Sequence, residues 1–387
     1  SPAPATEEGR TSTPSPTTSQ LAPPSSANPL TLKPVMENSD SLRSHLLAGQ
    51  AIPALPLALD ENRKLSEPHQ RALARYYIDA GCGGIAVGVH STQFEIREPK
   101  HGLFQPVLQI AAEAMDASIA ANPRPFIKIA GACGQTPQAI AETVLARDLG
   151  YDAVLLSLAA LNDQPEASVL AHCRTVAAEL PIIGFYLQPA VGGRVFSFDF
   201  WSKFAAIPTV LAIKIAPFNR YQTLEVIRGV IAAGRDDIAL YTGNDDTIVT
   251  DLLTPFTFEH NGAPVTRQIV GGLLGHWGVW SKAAVQLLEA IKTARTLDQI
   301  DVSWLQRAAA VTDMNAALFD SANAYAGCIP GILEVLRRQG LVPTINCLNP
   351  DEALSPGQAA ELDRVTTAYP DLIDDDFVAK NLQNWLR

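Results

Sequence analysis

No stretch of this 387-residue chain approaches the about 18 uninterrupted apolar residues of a membrane-crossing helix, so none is expected. Cysteine is scarce. The five present (Cys82, Cys133, Cys173, Cys328 and Cys347) are scattered and form no CxxC pair. Neither a disulfide frame nor a zinc site is expected, and reduced thiols fit a cytoplasmic protein. The seven histidines show no HExxH or HxH spacing, so no metal is expected. A basic cluster is also missing. With 29 Lys+Arg against 40 Asp+Glu the net charge is −11, which makes nucleic acid and anionic membranes poor partners.

Residues 1–35 hold few large apolar side chains, together with eight of the 28 prolines and many Ser and Thr. Such a segment cannot bury enough surface to offset its ordering entropy, so it reads as a disordered extension, with Met36 a natural start for the folded part. It has neither the apolar run of a signal peptide nor the arginines of a transit peptide.

What the rest of the chain has is a beat. Apolar runs at 54–59, 84–89, 126–130, 153–158, 182–186, 210–215, 238–242 and 269–274 alternate with amphipathic stretches such as 67–80, 137–149, 169–179 and 221–233. The runs are apolar throughout, as parallel strands buried on both faces are. Glycines at 81, 150 and 234 stand where helices end. Eight strand–helix units over some 240 residues predict a (β/α)8 TIM barrel, placed here at 36–297. A doubly wound sheet is the competing reading, but Leu59-Asp60-Glu61-Asn62 is no glycine-rich phosphate loop, so a dinucleotide cofactor is not expected. Residues 298–387 read as a C-terminal helical extension, with helices at 304–319 and 332–339 and an acidic run at 371–376.

Chemistry enters with Lys214, alone in Val210-Leu-Ala-Ile-Lys-Ile-Ala-Pro217. An ammonium buried there costs several kcal/mol unless paired or neutral, and a depressed pKa is what a Schiff-base nucleophile needs. The alternative is a lysine that snorkels outward. In a barrel, catalytic groups sit at the C-terminal strand ends. Tyr186 ends the preceding strand, so it is either a proton shuttle beside Lys214 or simple packing. Lys128, in Phe126-Ile-Lys-Ile-Ala130, has nearly the same frame as Lys214. It either faces the helices or adds a second cation near Lys214.

The chain resembles the dihydrodipicolinate synthase/N-acetylneuraminate lyase family of class I aldolases over roughly residues 50–335. The resemblance is carried by Ile129-Ala-Gly-Ala-Cys-Gly-Gln-Thr-Pro137, Phe185-Tyr-Leu-Gln-Pro189, Ala212-Ile-Lys-Ile215 and Tyr241-Thr-Gly-Asn-Asp245, in that order. It implies a Lys214 imine with pyruvate or another 2-keto acid, an aldehyde partner, Tyr186 as proton relay, no separate cofactor and assembly into dimers or tetramers. By the same resemblance Ser91 and Thr92, in Gly88-Val-His-Ser-Thr-Gln-Phe-Glu95, hold the keto-acid carboxylate, and Gly243 and Leu274 contact substrate. His90 is either an added titratable group or a structural one.

Departures from the family bear on the substrate. The synthase branch has an arginine five residues after its tyrosine, where this chain has Val191. It also has a phenol on the loop after strand four, where this chain has Ala160-Leu161-Asn162. That favours a lyase making or breaking C–C bonds over the synthase. A 2-keto-3-deoxy sugar-acid dehydratase using the same imine and a non-catalytic keto-acid-binding barrel are the alternatives. Gly271-Gly-Leu-Leu-Gly-His-Trp-Gly278 closes strand eight with glycines that suit a close ligand or tight packing. Trp277 and Trp280 either wall an aromatic-friendly pocket or belong to a core or an interface.

Overall fold

The computed structural model describes residues 35–387, with side chains from Asp40 onward. The tail read for residues 1–35 lies almost wholly outside the described residues. Met36 falls within a helix, Val35–Leu47, that sequence patterning did not mark.

Nine strands follow: β1 (Ala51–Pro53), β2 (Gly84–Val87), β3 (Ile127–Ala132), β4 (Ala153–Leu156), β5 (Ile182–Leu187), β6 (Val210–Ala216), β7 (Ala239–Thr242), β8 (Pro255–His260) and β9 (Ala263–Leu274). All but β8 are parallel, in the order β1-β9-β7-β6-β5-β4-β3-β2. A bridge from Ala54 to Ala86 brings β1 to β2 and makes the ring nearly closed. The result is the TIM barrel read from the beat, with C-terminal helices beside it.

Two elements differ from the sequence reading. The first strand is at Ala51–Pro53, not 54–59: Pro53 closes it in register with Leu274, and Pro56, with no N–H to donate, leaves the following apolar run as a buried irregular segment. The eighth barrel strand, β9, starts earlier than 269 and forms an antiparallel hairpin with β8. Asn261 and Gly262 turn that hairpin with φ of 52° and 78°, the left-handed pair that a two-residue turn requires.

Helix Val35–Leu47 plugs the N-terminal end of the barrel. Leu42 and Leu46 are buried with Ile52, Leu211 and Tyr241 inside the ring. Each such side chain contributes about 1.5–3 kcal/mol through burial. Arg43 anchors the plug by donating to Val210 O at 2.8 Å and Pro208 O at 2.7 Å and by pairing with Asp237 at 2.7 Å.

Side chains alternate along each strand between this interior and an outer layer against the helices. On β3 the interior residues are Ile127 and Ile129, while Lys128 points outward and pairs with Asp116 at 2.6 Å. Lys128 therefore faces the helices and adds no second cation near Lys214.

Helices Ser303–Phe319, Cys328–Arg338, Gln358–Ala368 and Asp375–Trp385 follow the barrel. The last packs on helix Glu67–Ala80. Asp374 accepts from Tyr76 Oη at 2.7 Å, Lys282 N at 2.9 Å and Gln339 Nε2 at 3.0 Å, and Trp385 Nε1 donates to Asp79 at 2.7 Å.

Candidate active site

A cavity of about 180 Å³ opens at the C-terminal ends of the strands, and Lys214 projects into it. Interior parity on β6 runs Ala212, Lys214, Ala216, so the lysine is the one charged residue of that inward row. Its Nζ lies 4.5 Å from the centre of the Phe185 ring. Among the described residues no carboxylate is within ion-pair distance of it. Loss of hydration pushes its pKa down to about 8, opposed by the nearby charge of Asp245.

Gly243, on the loop after β7, lines the cavity beside the lysine. A Cβ there would sit 2.7 Å from Lys214 Cε and 2.7 Å from Ala216 Cβ, so any side chain would displace the amine. The loop is held by a network beneath it. Asn244 Nδ2 donates to Asp251 at 2.9 Å and to Thr223 Oγ1 at 3.2 Å, its Oδ1 accepts from Phe218 N at 2.9 Å, and Asp251 pairs with Arg220 at 2.8 Å. This presents Asp245 to the cavity, its Oδ1 accepting from His276 N at 3.1 Å. Burial pushes the Asp245 carboxyl up to about 7, with Lys214 pulling the other way. An acid poised near neutrality beside an amine poised just above it can exchange protons with a bound substrate. The sequence reading quoted Asp245 within a motif but gave it no role. An acid directly after a strand end was the available signal.

Tyr186 departs from its expected place. β5 pairs Phe185 with Lys214, which puts Phe185 inside and Tyr186 outside. The phenol packs at 4.9 Å from the Trp201 ring and accepts from Phe196 N at 3.3 Å, in the helix layer. It does not reach the cavity, because successive side chains on a strand take opposite faces. Tyr186→Phe is expected to leave turnover within about twofold and to cost about 1 kcal/mol in a urea melt, one ordinary hydrogen bond. Loss of activity without loss of stability would reinstate Tyr186.

Ser91 lines the cavity, and its hydroxyl donates to Ala54 O at 3.1 Å. Thr92 does not line it. Its hydroxyl donates to Leu55 O at 2.6 Å and accepts from Gly88 N at 3.0 Å and Val89 N at 3.2 Å, so it staples the loop instead of meeting a ligand. His90 lines the cavity with its side chain open to solvent, and partial loss of hydration together with the Lys214 charge lowers the pKa of its imidazole, favouring the neutral form. Leu274 is also misplaced by the sequence reading. It points into the outer layer, and the neighbouring Gly275 lines the cavity in its stead. Trp277 and Trp280 wall a separate small cleft with Val311 and Leu372.

Sequence reasoning missed the contribution of the C-terminal segment altogether. Phe319, Tyr325, Cys328 and Ile332 close one side of the cavity. Tyr325 sits at φ 66° within a loop where Asp320 and Ala324 also take left-handed conformations, at φ 58° and 52°. Such strain persists only where the surroundings over-determine it. Here Asp320 accepts from Gly327 N at 3.0 Å and from Ser355 Oγ at 2.5 Å, while Gln358 Nε2 donates to Gly327 O at 3.0 Å. No periodic pattern announces an irregular loop of this kind.

A parallel barrel that carries a lysine and an acid in one cavity at its C-terminal strand ends has the layout of a TIM-barrel enzyme site. Residues 48–262 match the model of the dihydrodipicolinate synthetase family, and the chain belongs to that family. It is 28% identical over 211 residues to 4-hydroxy-tetrahydrodipicolinate synthase of Desulforudis audaxviator, covering 53% of this chain and 66% of that one. With the synthase of Ralstonia nicotianae it shares 26% identity, over 52% of this chain and 64% of that one. The chain thus spans about two thirds of the length of these relatives. In fold it is similar to dihydrodipicolinate synthase from Aquifex aeolicus, with a TM-score of 0.63 at 18% identity over 84% of this chain and 99% of that one. It is also similar to N-acetylneuraminate lyase from Fusobacterium nucleatum complexed with pyruvate, with a TM-score of 0.65 at 16% identity over 85% of this chain and 99% of that one.

Proposed function

We propose that the protein is a class I lyase in which Lys214 forms an imine with pyruvate or a related 2-keto acid and a C–C bond is made or broken at the carbon beside the keto group. The observation that carries this is Lys214 itself, an amine with a pKa of about 8 at the mouth of a barrel, without an ion-pair partner among the described residues. About a tenth of such amines are neutral at pH 7, far more than of an exposed lysine. The neutral amine attacks the ketone carbon, water leaves, and the imine draws electrons from the adjacent carbon. Asp245 takes and returns the proton at that carbon. This chemistry needs no further cofactor. Five free cysteines, four of them buried, support a cytoplasmic setting, and membership of the family supports assembly into a dimer or tetramer.

Incubation with pyruvate and borohydride, followed by peptide mapping, is the test. A reduced pyruvate adduct on Lys214 is expected, and an adduct elsewhere or none overturns the reading. The rate of adduct formation is expected to rise with pH through about 8, where the amine loses its proton, and to level off above it. Below that it should fall about tenfold per pH unit. A profile flat across neutral pH would contradict a titrating amine.

One observation favours a second reading. Asp245, protonated near neutrality, could donate to a leaving hydroxyl, as a 2-keto-3-deoxy sugar-acid dehydratase requires. Product analysis separates the two, since elimination leaves the carbon count of the substrate intact.

A further inference from the structure

We propose that the aldehyde partner is an uncharged aryl aldehyde. This rests on the imine reading above and names its second substrate. Rings from separate segments wall the cavity: Phe94 after β2, Phe185 on β5, Phe218 after β6, and Phe319 and Tyr325 from the C-terminal segment. Phe218 and Tyr325 meet edge to face at 6.1 Å and 84°. Such rings hold an aryl group by offset or edge contacts. An apolar cavity of about 150 Å³ is enough for benzene, and this one, of about 180 Å³, is open at the top for the acid.

Among the described residues that line the cavity, no cation is left unpaired for an anionic aldehyde once Lys214 holds the keto acid. Arg97 reaches the wall already neutralised by Glu142, its Nε 3.0 Å from both carboxylate oxygens. Arg194 is turned into the loop, donating to Asn162 O at 2.9 Å and Gln164 O at 2.6 Å. Val191 presents an isopropyl group to the cavity. Lys214 is consumed by the imine. A carboxylated or phosphorylated aldehyde against these rings would lose its hydration beside Asp245 without a free cation in exchange, while the polar lining, Ser91, Ser157 and Gln188 among it, is left to the pyruvate carboxylate.

The reaction balances as an addition. The enamine carbon of Lys214-bound pyruvate attacks the aldehyde carbon, forming one C–C bond. The aldehyde oxygen takes the proton that left the pyruvate methyl. Water then hydrolyses the imine, restoring the amine and releasing a 4-aryl-4-hydroxy-2-oxobutanoate.

The test uses the full chain with pyruvate and benzaldehyde, glyoxylate or glyceraldehyde, with product measured by mass spectrometry and borohydride trapping run in parallel. Benzaldehyde is expected to exceed the other two in kcat/KM by about a hundredfold. Phe218→Ala and Phe319→Ala are expected to raise KM for benzaldehyde about tenfold more than for glyoxylate. Pyruvate trapped on Lys214 with no benzaldehyde product, or with glyoxylate or glyceraldehyde preferred, overturns the aryl acceptor alone. So do Phe218 and Phe319 variants that treat benzaldehyde and glyoxylate alike. Failure to trap pyruvate overturns the imine reading and the acceptor together.

Discussion

Lys214→Ala is expected to abolish borohydride-trappable adduct and to lower turnover by at least about 10⁴-fold, the scale on which a covalent nucleophile is missed. Lys214→Arg should fare no better, because a guanidinium stays protonated and cannot form the imine. Stability should move the other way. The lysine lies in the barrel interior against Phe185 without an ion-pair partner among the described residues, so its truncation removes a hydration cost along with some packing. A variant that is inactive yet at least as resistant to urea is therefore the expected pair of results. Retained trapping in Lys214→Ala would mean that another amine carries the chemistry, and the reading given to this site would fall.

Glu142→Ala is expected to cost about 3–5 kcal/mol, the usual loss when one member of a buried ion pair is removed. Both side chains are more than nine-tenths buried, Arg97 at 9% and Glu142 at 8% exposure. Glu142 also accepts from Cys133 N at 3.1 Å and Gln138 Nε2 at 2.8 Å. Arg97 Nη2 donates to Gly88 O at 2.9 Å and Gly131 O at 3.1 Å, with its guanidinium 4.4 Å from the Phe104 ring centre. The pair thus ties the segment after β2 to helix Thr136–Asp148. Removing the carboxylate alone leaves a cation dehydrated and uncompensated. Replacing both partners, as Arg97→Met with Glu142→Leu, should recover much of the loss, since apolar pairs of similar volume often match buried ion pairs. Urea midpoints read both outcomes. A single variant that loses under about 1 kcal/mol would show the pair to be solvated in solution.

How far the sequence carried these conclusions depends on what kind of signal each residue leaves. The barrel was legible because eight buried strands and their helices repeat, and repetition survives errors at single boundaries. Lys214 was legible because a charge in an apolar run is an energetic anomaly. Tyr186 misled for a related reason. In strands buried on both faces every residue is apolar, so the pattern carries no parity, and a phenol one step along the chain from the inward row is indistinguishable from one on it. Phe185 is that inward residue. Thr92 misled because a hydroxyl that caps a loop and one that binds a ligand are the same residue type. The β8–β9 hairpin was missed although Asn261-Gly262 between alternating apolar residues is a strong turn signal. The rings at 218, 319 and 325 left no trace, since they converge only through the tertiary fold.

The stitch made by Asp374 bears on how the chain reaches its final form. Tyr76 and Trp385 are some 300 residues apart in sequence, yet their rings lie 5.4 Å apart, and the outer face of helix Glu67–Ala80 is completed by helix Asp375–Trp385. During synthesis that early helix must wait, its aromatic face uncovered, until helix Asp375–Trp385 leaves the ribosome. Contacts of such long sequence separation form late and slowly. Chaperone demand during expression should therefore track the arrival of helix Asp375–Trp385 more closely than completion of the barrel itself.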